Sequence, residues 1–318
     1  MPDPSDQSSD PERSGATAAA ADGAIEFEGR RLKLSNLDKV LYPAVGFRKA
    51  QVIDYYARIA PVMLPHLEGR GITLRRFPNG VEQSGFFEKR CPKHRPDWVG
   101  AAVGPGDRNG VIQYCLFEEP AALVWSANLA AIELHAPMAR AADLEAPLIM
   151  VFDFDPGAPA GMRECCQIAL LVRDILGAVG LAGWCKTSGS KGLQLYVPLN
   201  TPTTHDHAAS FALAVGQVLE RDHPRRVTTT MAKAERPGKI FVDWSQNARH
   251  KTTIAPYSLR ARPEPTVSTP IDWDEVAAGA DGSAELRFET DDVLERVAAR
   301  GDLFGPVLEL RQDLPAGT

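Results

Sequence analysis

Residues 151–157 read VFDFDPG, and the reading of this heptapeptide decides the fold. Val151, Phe152 and Phe154 favour extended backbone, and Pro156-Gly157 ends the run. With the lead-in APLIM (146–150) the stretch is a strong strand, apolar enough to be buried in a sheet. Successive strand residues point to opposite faces, so Asp153 and Asp155 share one face, about 6–7 Å apart along the strand. Ile149 and Val151 lie deeper on that face, while Phe152 and Phe154 bury the other. Two unpaired carboxylates beside an apolar layer repel each other and lose hydration. A divalent cation removes both penalties, because hard cations take carboxylate oxygens. The plain alternative is an edge strand with its acids in water, which the flanking aromatics weaken.

Outward from this strand the pattern alternates between elements. GMRECCQIALLVRDILGAVG (161–180) is an amphipathic helix closed by Gly180, and WCKTSGSKGLQLYVPL (184–199) is strand, turn, strand. THDHAASFALAVGQVLERDHP (204–224) is a helix, and KIFVDWSQN (239–247) is a strand running into a long loop. Upstream, apolar spacing predicts a helix over 49–64, strands around the Pro-Asn-Gly turn at 78–80, a strand in 109–117, and a helix running into a strand over 120–137. DDVLERVAARGDLFGPVLEL (291–310) reads as helical. Without strict βαβ alternation, these elements predict an α/β (α+β mixed) fold with central mixed or antiparallel sheets flanked by helices. Residues 1–24, rich in Pro, Ser, Asp and Ala, predict a disordered acidic tail. Residues 25–305 form one catalytic domain, and 306–318 a C-terminal tail.

The chain has 318 residues, 44% of them hydrophobic and 24% charged, as in ordinary globular proteins. No apolar run approaches the roughly 18 residues that cross a bilayer, and the N-terminus lacks the basic and apolar regions of a secretory signal. A cytoplasmic protein without membrane contact is expected, and the resemblance described below implies that it is nucleoid-associated. Five cysteines, none in a C-x-x-C, suggest reduced thiols rather than a disulfide framework. Cys91 and His94 have a C-x-x-H spacing but no second ligand pair nearby. The net charge of −6 hides a division along the chain. Residues 30–262 carry 30 Lys and Arg against 21 Asp and Glu, whereas both ends are acidic. A basic body suits a polyanionic ligand.

Further residues extend the chemistry. Asp243 also ends an apolar strand; taken alone it is a turn cap, but three carboxylates at two strand ends can hold two metals for phosphoryl or nucleotidyl transfer. TSGSKG (187–192) offers backbone N–H groups, the Ser188 and Ser190 hydroxyls and Lys191 to phosphate oxygens, without Walker A spacing. Arg75, Arg76, Phe86, Phe87, Lys89 and Arg90 interleave cations with aromatics, which suits stacking on bases; one of the two phenylalanines is expected in the core. His135 alone reads as a core histidine.

Together these blocks resemble the polymerase domain of bacterial ligase D, a member of the archaeo-eukaryotic primase superfamily. The resemblance spans about residues 30–305 and is carried by LSNLDKVLYP, RRFPNGVEQSGFFEK, ELHAP, VFDFDPG, TSGSKGLQLY, KIFVDWSQN and KTTIAPYSLRAR. It implies metal-binding roles for Asp153, Asp155 and Asp243, with two divalent cations (Mn²⁺ or Mg²⁺), and places His135 near the incoming nucleotide. It implies NTP or dNTP binding by Ser188, Ser190, Lys191, Gln246 and Arg260, with Phe86 and Phe87 packing on base, sugar or template. It further implies DNA contacts by Arg75, Arg76 and Arg236, and a 5′-phosphate pocket of Asn36, Lys39 and Lys49. The implied activity is template-directed extension at gapped or broken DNA in non-homologous end joining, favouring ribonucleotides, beside a separate ligase and an end-binding protein. Two departures stand out. Gln194 replaces a histidine expected to reach the triphosphate, and both basic residues before the Pro-Asn-Gly turn are Arg where one is Lys in relatives. The chain ends at Thr318, as expected of a stand-alone polymerase or a fragment. Two alternatives remain: a phosphohydrolase, since a strand ending D-x-D also resembles the haloacid dehalogenase phosphatases, and a catalytically weak module binding 5′-phosphate ends. Against the phosphohydrolase, Gly157 stands where those enzymes carry Thr or Val.

Overall fold

The VFDFDPG strand runs from Ile149 to Pro156 in a computed structural model that describes residues 23–105 and 110–315. It lies in the middle of a six-stranded sheet. The order is Val227–Thr228, Ile240–Asp243, Ile149–Pro156, Leu193–Pro198, Trp184–Thr187 and Pro270–Ile271. All neighbours are antiparallel except the first pair, which is parallel. The alternation read from the sequence sets the layers. Met150, Phe152 and Phe154 face the helices Met162–Ala178 and His205–Asp222 in one core. Ile149 and Val151 face the other way, onto Tyr196, Met138 and Phe304. Both faces are dry near the start of the strand, and only its end is polar.

A second sheet of four antiparallel strands has the order Thr252–Ile254, Ala131–Pro137, Thr73–Arg76 and Phe86–Glu88. One face packs on the helices Lys49–Met63 and Pro120–Asn128 in a separate core. The sheets meet where the Tyr196 hydroxyl lies 2.5 Å from Thr253 Oγ1. The mixed, mainly antiparallel α/β architecture is the one expected.

The expected tail lies outside the described residues as far as residue 22; Ala24–Phe27 already forms a strand with Arg30–Lys33. At the other end, the segment set apart as a C-terminal tail packs as far as Pro315. Val307 is buried in a short helix, Pro306–Glu309, and Gln312 donates to the Pro198 and Ala182 carbonyls. The expectation that all five cysteines are reduced is corrected. Cys91 and Cys115 are disulfide-bonded, because the Cys91 N–H donates to the Gln113 carbonyl and brings the two Cα atoms to 4.8 Å. That bond removes Cys91 from any metal site with His94. Cys165, Cys166 and Cys185 are free and buried. Among the described residues no helix is long and apolar enough to cross a membrane.

Candidate active site

Register assembles the site. Asp153 stands opposite Asp243 on one neighbouring strand and opposite Gln194 on the other, and Gln194 stands opposite Lys186. Directly opposed residues share a face, so Lys186, Gln194, Asp153 and Asp243 form one row across four strands. Asp155 lies two residues further on, exposed beyond the half-buried Asp153. Burial pushes the Asp153 carboxyl up to about 7, and the Asp155 and Asp243 charges add to it; Gln194 and Lys186 oppose. Asp155 is raised by burial and by Asp243, against Arg236 and Arg260. Arg236 is anchored over the Phe241 ring, 3.6 Å from its centroid.

Asp243 is turned into its own chain. One oxygen accepts from the Ser245 N–H at 3.0 Å and its hydroxyl at 2.6 Å, and the other from Gln246 Nε2 at 3.0 Å. Asp243 thus caps the turn Trp244–Asn247, and Gln246 is held on it. Among the described residues no group of three or more His, Cys, Asp and Glu is gathered to hold a metal ion. The donor set nevertheless fits hard divalent cations: three carboxylates, two of them strained by mutual repulsion.

The turn 188–192 folds against the end of the Asp strand. Gly192 allows it, since a Cβ there would lie 2.3 Å from the Phe154 carbonyl oxygen. Ser188 also shapes the turn itself. Its Oγ accepts from the N–H groups of Ser190 and Gly192, at 3.3 and 3.1 Å, and so closes the turn. Lys191 is exposed. Arg260 Nη1 donates to the Ser188 carbonyl at 2.9 Å and Nε to Glu133 at 3.2 Å, linking the turn to the second sheet.

Glu133 organises that second wall. It is buried, pairs with Arg75 at 3.2 Å, lies 3.0 Å from His135 Nε2, and accepts from the Ala261 N–H. Burial alone would raise its carboxyl, but the His135 hydrogen bond and the Arg260 charge outweigh it and hold Glu133 well below the usual carboxylate range. His135 is lowered by burial, with Arg260 and Arg75 adding to the effect against Glu133. The Phe87 ring meets His135 edge-on at 5.4 Å. Neither Phe86 nor Phe87 is in the core, contrary to expectation: they sit on an edge strand, 46% and 57% exposed, under Arg76 and Arg75 respectively. Arg76 is also held by Glu88 and the Leu129 carbonyl.

Asn36 and Lys39, in a loop, meet Lys49 at the start of the helix Lys49–Met63. The Asn36 carbonyl accepts from the Lys39 N–H, and the Lys39 carbonyl from the Lys49 N–H. Lys39 Nζ reaches Asn79 at 3.3 Å, and the buried Lys49 reaches the Ser35 carbonyl at 2.6 Å. The sequence reading missed Glu133 and Lys186, each a charge within an apolar strand, the same signal that exposed Asp153. Buried Lys186 donates to Gln194 Oε1 and to Ser268 Oγ, both at 2.7 Å. Gln194 is itself buried and bonds Asp153. It supports a carboxylate from the strand that leaves the 188–192 turn.

Comparisons with known proteins follow the same lines. Residues 48–304 match the family described as LigD, primase-polymerase domain. The chain is 45% identical over 283 residues to the multifunctional non-homologous end joining DNA repair protein LigD of Mycobacterium tuberculosis, covering 86% of this chain and 37% of that protein. It is 29% identical over 286 residues to the bifunctional non-homologous end joining protein LigD of Bacillus subtilis, covering 90% of this chain and 45% of that one. The chain thus spans less than half the length of these relatives. Among solved structures, the polymerase domain from Mycobacterium tuberculosis ligase D in complex with DNA superposes with a TM-score of 0.82 at 42% identity, covering 87% of this chain and 98% of that one.

Proposed function

The chain belongs to the LigD primase-polymerase family, and from that premise we propose that it is a template-directed nucleotidyltransferase that fills gaps and extends ends at DNA breaks, favouring ribonucleotides. The observation that carries this reading is the register setting Asp153 opposite Asp243, with Asp155 beyond, facing a wall of cations. Bound by these three carboxylates, two divalent cations, manganese or magnesium, supply charge neutralisation and hydroxyl activation. Ser190, Lys191 and Arg260 hold the polyphosphate, while His135 and Phe87 orient sugar and base. Asn36, Lys39 and Lys49 take a 5′-phosphate, and Arg236 stands ready for the template. In the reaction the primer 3′-oxygen bonds to the α-phosphorus, the α–β phosphoanhydride breaks, and pyrophosphate leaves. Such work belongs at the nucleoid in the cytoplasm, beside a ligase and an end-binding protein.

The other readings have less support. Asp153 is opposed by a second carboxylate and an amide, an awkward setting for a lone phosphatase nucleophile. Against a weak end binder, Asp153, Asp155 and Asp243 are all present at the strand ends.

Primer extension on gapped DNA tests the proposal, comparing NTPs with dNTPs, manganese with magnesium, and ends with and without a 5′-phosphate. Extension is expected, favouring ribonucleotides and stimulated by the 5′-phosphate. Asp153→Ala and Asp155→Ala should each abolish extension yet keep binding to 5′-phosphorylated gapped DNA. Wild-type extension by either variant would sink the carboxylate assignment.

A further inference from the structure

Lys186 is fully buried in the six-stranded sheet, yet both of its acceptors are neutral, Gln194 Oε1 and Ser268 Oγ. The centre of the Tyr196 ring lies 5.3 Å from its ammonium. Lysines are almost never fully buried unless paired, and a methionine would fill the slot without the loss of hydration. The charge that answers Lys186 stands one place further along the row. Register sets Lys186 opposite Gln194 and Gln194 opposite Asp153. Burial works against the Lys186 charge, and Asp153 is the acid that favours it. Ammonium and carboxylate are thus joined by one amide.

The amide joins them in one orientation only. Lysine offers no acceptor, so its bond holds the Gln194 oxygen, and the amide N–H groups are left to face Asp153, which accepts from Gln194. Without Lys186 the buried amide oxygen loses its donor, and the amide is free to turn that oxygen against the carboxylate. Asp243 is held in the same manner by Gln246 and Ser245, whereas Asp155 is exposed. A donor behind a carboxylate fixes its rotation, and so the oxygen it offers to a cation. Removing such a partner weakens metal binding by about 10- to 100-fold.

Resting on the carboxylate reading given above, we propose that Lys186 is a positioning residue: acting through Gln194, it sets Asp153 to receive a divalent cation. Electron paramagnetic resonance of Mn²⁺, titrated with the metal-free chain in the absence of nucleotide and DNA, measures the Mn²⁺ Kd. Asp153→Ala identifies the site by losing it. Lys186→Met and Gln194→Met keep the volume and remove the donors; each should raise the Kd about 10-fold. Because one acts through the other, the double variant should match the weaker single variant rather than reach the roughly 100-fold product of independent sites. Gln194→His is the rescue: neutral imidazole also offers one acceptor and one donor, so it should bind Mn²⁺ within about 3-fold of wild type. Tm without metal is read alongside. A lowered Tm with a wild-type Kd would mean that only packing was lost, and overturns the proposal. Multiplying effects in the double variant overturn it too, as does a Gln194→His chain as weak as Gln194→Met. Should Lys186→Met fail to fold, Gln194→Met and Gln194→His decide. A wild-type chain that binds no Mn²⁺ overturns the carboxylate assignment itself and the proposal with it, whereas wild-type binding by every variant overturns the proposal alone.

Discussion

Asp153 is the residue at which function and stability conflict. Its carboxyl is held above its unfolded value of about 3.9 by burial and two neighbouring acids, so the folded chain binds the extra proton. Stability contributed at this site is therefore present below about pH 4 and lost as the pH rises through about 7. Asp153→Asn keeps the size of the side chain and removes the charge. At pH 8 without divalent cations the variant should melt several degrees above wild type, and at pH 5 the gap should narrow; calorimetry at both values checks this. Glu133 behaves oppositely. It is stabilised as an anion, so its contribution is complete above its unfolded value of about 4.3 and is lost only as the pH falls through its lower folded value. Glu133→Gln should destabilise the fold at pH 7 by roughly 3 kcal/mol and raise the NTP KM, since Arg75, Arg260 and His135 lose their common anchor. Denaturant titration with steady-state kinetics measures both. The Asp pair was legible because strand alternation alone puts both acids on one face. Glu133 was not, because its partners Arg75 and Arg260 are 58 and 127 residues away.

At the scale of elements, the turn 188–192 depends on its glycines. Gly189 has φ +64°, and a Cβ there would lie 2.7 Å from the Val267 carbonyl carbon. Gly189→Ala adds about 1–2 kcal/mol of left-handed strain to that collision. It should lower Tm and raise the NTP KM severalfold. Gly180→Ala is the control: φ is +76° but nothing lies within 4 Å of the added carbon, so it should cost only the strain and leave KM unchanged. Equal KM values for the two would separate the turn from nucleotide binding. Periodicity fixed the long elements well: the helix expected over 49–64 is Lys49–Met63, and the strand–turn–strand at 184–199 is present. It failed at edges. Whether Phe86 is covered depends on a neighbouring strand rather than on its own sequence, and the last residues pack through side-chain bonds that carry no period.

For the whole molecule, charge divided along the chain points to a polyanion, and the Arg260 bonds to the Ser188 carbonyl and to Glu133 bring some of that charge between the two sheets. What the chain order hides is how distant segments come together. Gln194 stands beside Asp153 only through the pairing of two strands separated by a whole helix. The Cys91–Cys115 pair, 24 residues apart, was hidden for the same reason. That cross-link makes stability a property of the surroundings as well as of the sequence. Closing a loop of this size removes entropy from the unfolded chain worth about 3 kcal/mol, and a reducing compartment returns it. Adding reductant should lower Tm by roughly 5–10 °C, and Cys91→Ser should melt alike with or without it; an unmoved wild-type Tm would mean the two sulfurs are not joined. A chain working among reduced thiols would thus be a looser molecule than the same chain purified in air.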